Sequence, residues 1–415
     1  MVHTDRHCRT SDTGGTTDRE EKTLRDKVVQ RRWFLAGLGA AGAAAAAGPA
    51  LLSSRATPPA QAASTAPHAP HAAAHPAMLM ALIGSYTSST PAGRGLDVAH
   101  RADSGALEPG GTVDGVPDAS WLAWSPDHQY LYVTNETTQG TVTAVDLTSH
   151  TPKVINSQSS RGAGPTHVAV HPEGDFLFTA NYTDGSVAVH RRNPDGGIGE
   201  STDLVKHAGA QPHAHQIVID PSKRWVVAVD LGADSVYVHG FDHSTGKLTQ
   251  NQQLVLPAGT GPRHLVFHPS AKHAYLLSEL NSTITVLGFD VESGKFTPGQ
   301  VLSSRKPGAG GENFPSEIAI SRDTGFVYAA NRGDNNIATF SVEEKGAKLS
   351  FAATAPTGGD WPRHFALDPE QTSVYVANQR SGTITRLARD PGTGLLTPAP
   401  EVLEVPSVAV ITFHG

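Results

Sequence analysis

Six times along the chain a short Gly- and Pro-containing turn is followed by an apolar run and then by a second apolar run that ends in Asn, Asp or Glu. The copies read GVPDASWLAWSPDHQYLYVTNE, GAGPTHVAVHPEGDFLFTANYTDGSVAVH, AQPHAHQIVIDPSKRWVVAVDLGADSVYVHGFD, GTGPRHLVFHPSAKHAYLLSELNSTITVLGFD, ENFPSEIAISRDTGFVYAANRGDNNIATFSV and GDWPRHFALDPEQTSVYVANQRSGTITRLARD. Their turn prolines, Pro117, Pro165, Pro212, Pro262, Pro315 and Pro362, are 48, 47, 50, 53 and 47 residues apart. A period of that size marks an array of supersecondary units, none of which can bury its apolar faces alone.

Each unit holds four apolar runs with alternation and β-branched residues, the fourth following a turn such as SGKFTP, so each run reads as a strand. Four antiparallel strands in about fifty residues make a propeller blade. The 42 Gly and 29 Pro, beside only 17% charged residues, suit many short strands and tight turns. Upstream of the six units, MLMALIGSYTS, GLDVAHRAD and GALEPGGTV supply three strands with no first strand, and the C-terminus supplies one spare run, SVAVITF. Pairing residues 407–413 with 80–86 completes a seventh blade and removes both open sheet edges. The expected fold is therefore an all-β, seven-bladed β-propeller over residues 78–415.

The first 62 residues read as a leader. Arg31 and Arg32 precede an Ala-rich apolar run, the twin-arginine pattern of exported proteins, and AQA at 60–62 offers a cleavage site. The run is too weakly apolar for a retained anchor, so no stable membrane insertion is expected after cleavage. Residues 63–77, rich in Ala, Pro and His, read as a disordered linker. Residues 1–62 hold nine of the 32 basic and six of the 39 acidic side chains; the rest carries 23 against 33, a formal charge near −10. Such a surface argues against nucleic acid as a partner. The single cysteine, Cys8, lies in the leader, which leaves no disulfide framework and no thiolate nucleophile.

In a blade the start of strand one and the end of strand two meet at one mouth of the channel. The strand starts offer Ser120, Thr166, His215, Arg263, Ser316 and Arg363, followed by Trp121, His167, Gln216, His264, Glu317 and His364. Alternation assigns one column to the channel and the other to the contacts between blades. The second strands end in Asn135, Asn181, Asp230, Glu279, Asn331 and Asn378. A residue recurring at one repeat position serves every blade alike, so His167, His264 and His364 read as fasteners and the Asn residues as turn ties. The exceptions are His215, Glu279 and Arg332, from three successive blades. With Arg263 they form a quartet suited to an anionic substrate: guanidinium forks hold it, and His215 or Glu279 moves a proton. A salt-bridged structural cluster is the competing reading.

Two other chemistries are weighed. His213 and His215 stand two apart as a possible metal pair, with no evident third ligand, so no metal is expected. A Ser-His-Asp site lacks its GxSxG elbow.

The GPRH-like strand starts, the ANxxDGSVAVH second hairpins, the opening IGSYTS and the closing PSVAVITF together resemble the seven-bladed propeller lactonase family over about residues 80–414. That family includes bacterial 6-phosphogluconolactonase and a fungal cofactor-free muconate-cyclising enzyme. The resemblance implies a hydrolase acting on a small-molecule lactone of an anionic sugar or organic acid, without a cofactor. Muconate-type cyclisation is the alternative activity. The resemblance also places pocket residues on His215, Arg263, Glu279 and Arg332, as catalytic (His215, Glu279, Arg263) and substrate-binding (Arg263, Arg332) groups. Export is at odds with a phosphorylated sugar lactone, a metabolite of the cytosol. A noncatalytic propeller that binds a partner on one face is the third reading.

Overall fold

The computed structural model describes residues 79–414, apart from His150 and Ala210. The expected leader, with Arg31, Arg32 and Cys8, and the linker lie outside the described residues. Within them the chain forms seven four-stranded antiparallel sheets. Blade 1 combines Val408–Phe413, Leu79–Ser85, Leu96–Arg101 and Leu107–Val113. Blades 2 to 7 take their strands in chain order from 119–159, 165–206, 214–255, 262–303, 314–356 and 362–404.

The ring closes as the spare C-terminal run requires. Ala81 pairs with Phe413, Ile83 with Ile411 and Gly84 with Val410. The Tyr86 N–H donates to the Ser407 carbonyl at 3.1 Å, and the His414 N–H to that of Met80 at 2.9 Å. The last strand thus ties both ends of the propeller into one sheet and covers the edge that Leu79–Ser85 would otherwise leave open.

The core is annular. One apolar cluster fills each junction between neighbouring blades, because each blade is apolar on both faces. Leu82, Leu96 and Val98 meet Leu122, Leu131 and Val133 between blades 1 and 2. Phe176, Phe178 and Val189 meet Ile217, Val226 and Ala228 between blades 3 and 4, and Ala81, Ile83 and Ile411 meet Tyr375, Ala377 and Ile384 between blades 7 and 1. The other four junctions repeat the arrangement. Each fully buried Leu, Ile, Val or Phe contributes about 1.5–3 kcal/mol.

A polar clasp accompanies this packing. The hydroxyls of Tyr132, Tyr275, Tyr328 and Tyr375, all buried in second strands, donate to the carbonyls of Gly196, Gly346, Gly394 and Gly105 in the next blade. These turn glycines have φ between 70° and 101°, a conformation that only glycine adopts without strain, so each turn presents its carbonyl to the neighbouring blade. The fourth strands face outward and are largely exposed, as in Lys247–Val255 and Leu396–Glu404.

Candidate functional site

The inner strands are not regular. In blade 2, Ala119 pairs with Asn135 and Trp121 with Thr134, so Ser120 is an extra residue. Thr166, His215, Arg263, Arg363 and, in blade 1, Ala409 are extra in the same way; blade 6 passes over both Ser316 and Glu317. A β-bulge bends the strand and re-aims its side chains. Strict alternation between channel and blade contact therefore fails. Ser120 and Trp121, Arg263 and His264, and Arg363 and His364 all line one cavity on the axis, together with Thr166, His215 and Ala409.

The expected roles of the two columns are partly exchanged. Members of the bulged column fasten blade to blade: Ser120 Oγ donates to the Pro165 carbonyl, Thr166 Oγ1 to that of His215, Arg263 Nη1 to that of Ser316, and Ser316 Oγ to that of Pro362. Each accepting carbonyl lies at or just before the bulge of the neighbouring blade. The histidines expected as fasteners meet on the axis instead. Trp121 stacks on His167 at 4.1 Å between ring centroids and meets His264 and His364 edge-on at 5.2 Å each. Glu317 lies 3.1 Å from His264 Nδ1 and 3.5 Å from His364 Nε2. Burial lifts the Glu317 carboxyl, holds His167 and His264 well below the usual imidazole range, and brings His364 down to about 4. Gln216 keeps a fastening role, accepting the Leu265 N–H at 2.7 Å.

The end of strand two corrects the sequence alignment by one residue. Asn135, Asn181, Asp230 and Asn378 pair with the first ladder residue of their inner strands and Asn331 with the residue just before the bulge, Pro315; in blade 5 that position is Ser278, opposite Pro262. Glu279 is the next residue. Its N–H donates to the Gly261 carbonyl just as the N–H groups of Tyr86, Glu136, Tyr182, Leu231 and Gln379 donate to Ser407, Asp118, Gly164, His213 and Trp361. Glu279 thus belongs to a column of its own with Glu136 and, in blade 6, Arg332. The Asn side chains tie turns as expected: Asn135, Asn181 and Asn331 donate to the carbonyls of Pro117, Ser160 and Ser304.

Three members of the sequence quartet form one ion-paired group. Glu279 Oε2 lies 3.1 Å from Arg263 Nε and 2.6 Å from Arg332 Nη2. All three side chains are almost fully buried, which a charge tolerates only when paired and hydrogen-bonded. Arg332 Nε also donates to the Phe314 carbonyl at 2.8 Å and Nη2 to that of Pro315 at 3.3 Å. Two guanidiniums on one carboxylate give the triad a net positive charge. His215 lines the cavity beside Arg263, its ring edge-on to His264 at 5.0 Å and to Tyr182 at 5.7 Å. The rim carries Trp361, whose ring lies 5.3 Å from the Arg332 guanidinium. Its φ of 65° places a bulky side chain where blades 3 and 5 have Gly164 and Gly261, a strained conformation costing about 1–3 kcal/mol.

A second charged group at the same mouth was missed in the sequence. Arg363 Nη2 donates to Glu136 Oε2 at 3.3 Å, Tyr86 Oη donates to the same oxygen at 2.6 Å, and the guanidinium sits 5.3 Å from the Tyr86 ring. Glu136 follows Asn135 as Arg332 follows Asn331, a signal hidden while Glu279 was aligned with the Asn column. His213, weighed as half of a metal pair and discounted, stacks on Tyr182, with Nδ1 2.8 Å from the Tyr182 carbonyl. Among the described residues, three potential metal ligands converge elsewhere, at His171, Asp175 and His243. There His171 Nδ1 accepts the Glu173 N–H and Nε2 faces the Lys223 carbonyl, so both ring nitrogens are engaged.

Comparison with known proteins agrees with this architecture. A family model described as lactonase, 7-bladed beta-propeller, matches residues 80–413. The 6-phosphogluconolactonase of Bacillus subtilis (strain 168) is 33% identical over 304 residues, 71% of this chain and 86% of that protein. The 6-phosphogluconolactonase of Formosa agariphila is 30% identical over 343 residues, 78% of this chain and 96% of that protein. Among solved structures, the periplasmic gluconolactonase of Pseudomonas aeruginosa superposes with a TM-score of 0.77 at 27% identity, covering 82% of this chain and 99% of that one.

Proposed function

Since the chain belongs to the seven-bladed β-propeller lactonases, carboxylic-ester hydrolases, we propose that the mouth around Arg263, Glu279 and Arg332 opens the cyclic ester of an anionic sugar or organic acid. The observation that carries this reading is the sharing of Glu279 Oε2 by two guanidiniums. It holds two cations side by side at the mouth without neutralising both. The cavity that His215, Arg263 and Arg363 line is open to solvent and has little enclosed room. A lactone ring and its substituents therefore rest at the mouth, against the side chains that line it.

In this reading the carbonyl oxygen faces the arginines, and water adds to the carbonyl carbon while passing a proton to His215. The arginines stabilise the oxyanion that forms, which is where an enzyme's electrostatic contribution is largest. Collapse of the adduct breaks the bond to the ring oxygen, which takes the proton from His215, and the product is a hydroxy acid that then ionises. Glu279 holds the guanidiniums in register. The names of the relatives support 6-phosphogluconolactone or gluconolactone as substrate. The twin-arginine leader supports action outside the cytoplasm, as the name of the Pseudomonas protein does for that protein.

The test is hydrolysis of both lactones by purified protein, with product identification to separate ring opening from cyclisation. Arg263→Ala and Glu279→Gln are expected to lower kcat/KM by about 10²–10³. Full activity in both variants rejects these roles.

A further inference from the structure

The arginines of the mouth differ in how much of their hydrogen-bonding capacity the protein already uses. Arg263 is bonded to the Ser316 carbonyl and faces Glu279 and His264, while Arg332 is bonded to two carbonyls and faces Glu279. Arg363 is also buried. Yet among the described residues its only hydrogen bond is the one from Nη2 to Glu136 Oε2. Nε and Nη1, with three of its five N–H donors, make none, and the side chain lines the same cavity as Arg263 and His215. These donors are not sealed from solvent, so they stay available to an anion that enters the cavity. Glu136 grips one end of the fork, and the Tyr86 ring lies beside the guanidinium, which holds the group in place.

We propose that Arg363, positioned by Glu136 and Tyr86, is the anchor for the negatively charged substituent of the lactone, a carboxylate or phosphate, while the Arg263–Glu279–Arg332 triad acts on the ester. This rests on the lactonase reading and adds to it a division of labour: the triad serves the ring carbonyl, and Arg363 selects for charge. Its planar fork matches an oxyanion in a way that an ammonium cannot. Blades 5 and 7 carry the two strand-start arginines on either side of blade 6, so one substrate can meet both.

The experiment compares kcat/KM for 6-phosphogluconolactone, a carboxylate-bearing muconolactone and neutral gluconolactone, in the wild type, in Arg363→Lys, and in the double variant Arg363→Ala/Glu136→Gln. The double change avoids leaving Glu136 as a buried unpaired charge. The expected result is a fall of about 10- to 100-fold in the ratio of anionic to neutral lactone, the worth of a charge-assisted bond, expressed mainly in KM. Whichever of the two anionic lactones shows the larger fall identifies the group recognised. An unchanged ratio, or equal losses on all three lactones, overturns the proposal. Should the wild type hydrolyse none of them, the lactonase reading fails, and calorimetric titration with inorganic phosphate still decides on the anchor. Binding weakened at least tenfold in Arg363→Lys supports it; no binding to the wild type, or equal binding to both, rejects it.

Discussion

At the scale of single residues, this propeller places several histidines where water cannot reach them. His239, on the third strand of blade 4, is fully buried beside His207 and Asp203, and burial brings its pKa down to about 4. In the unfolded chain it titrates near 6.5. As the pH falls below about 6.5 the unfolded state takes up a proton that the folded state refuses, so stability is lost with acidification until about pH 4. The linkage amounts to at most about 3 kcal/mol for this residue. His239→Gln is expected to flatten the dependence of the urea midpoint on pH between 6.5 and 4. An unaltered slope would mean that His239 is protonated as easily in the fold as outside it. The same arithmetic applies to His364 on the axis, also held at about 4. There it keeps the ring neutral beside Glu317 and next to Arg363.

At the scale of elements, two devices carry the architecture. One is the bulge near the start of every inner strand, which places a fastening side chain and an axial side chain next to each other. The other is the closing strand. Val408, Ala409, Val410 and Ile411 are all buried, and Ile411 packs in the cluster between blades 7 and 1. Ile411→Ala removes buried methyl and methylene groups from a junction that cannot collapse without moving the strand on which closure depends, at an expected cost of about 2–5 kcal/mol. Urea denaturation followed by tryptophan fluorescence measures it. A cost below about 1 kcal/mol would show that the closing strand contributes pairing but little packing.

At the scale of the whole molecule, the propeller is a ring of near-equivalent units made unequal at one mouth, with charged side chains from blades 5 to 7 and blade 2. We propose export by the twin-arginine route, and changing Arg31 and Arg32 to Lys is expected to abolish appearance of the protein outside the cytoplasm, measured by fractionation of the producing cells. Equal export of this variant would assign the leader to another pathway or to none.

The repeat, the strand order, the closing pair and the candidate triad were all legible in the sequence, because they depend on local pattern: apolar alternation, turn residues at a fixed period, and residues that depart from most of their repeat column. Arg263, Glu279 and Arg332 do meet, although Glu279 was reached by counting it into the wrong column. The tertiary structure alone decided the rest. A β-bulge shifts the facing of two adjacent side chains, and nothing in a single repeat marks it, since Ser, Thr, His, Arg and Ala all occupy the extra position. That shift turned His264 and His364 from expected fasteners into an axial cluster around Trp121 and Glu317. It also joined Arg363 to Glu136, 227 residues away in sequence, because the ring brings blades 7, 1 and 2 to one mouth. Local pattern determines which residues form a strand; ring closure determines which distant strands share a mouth.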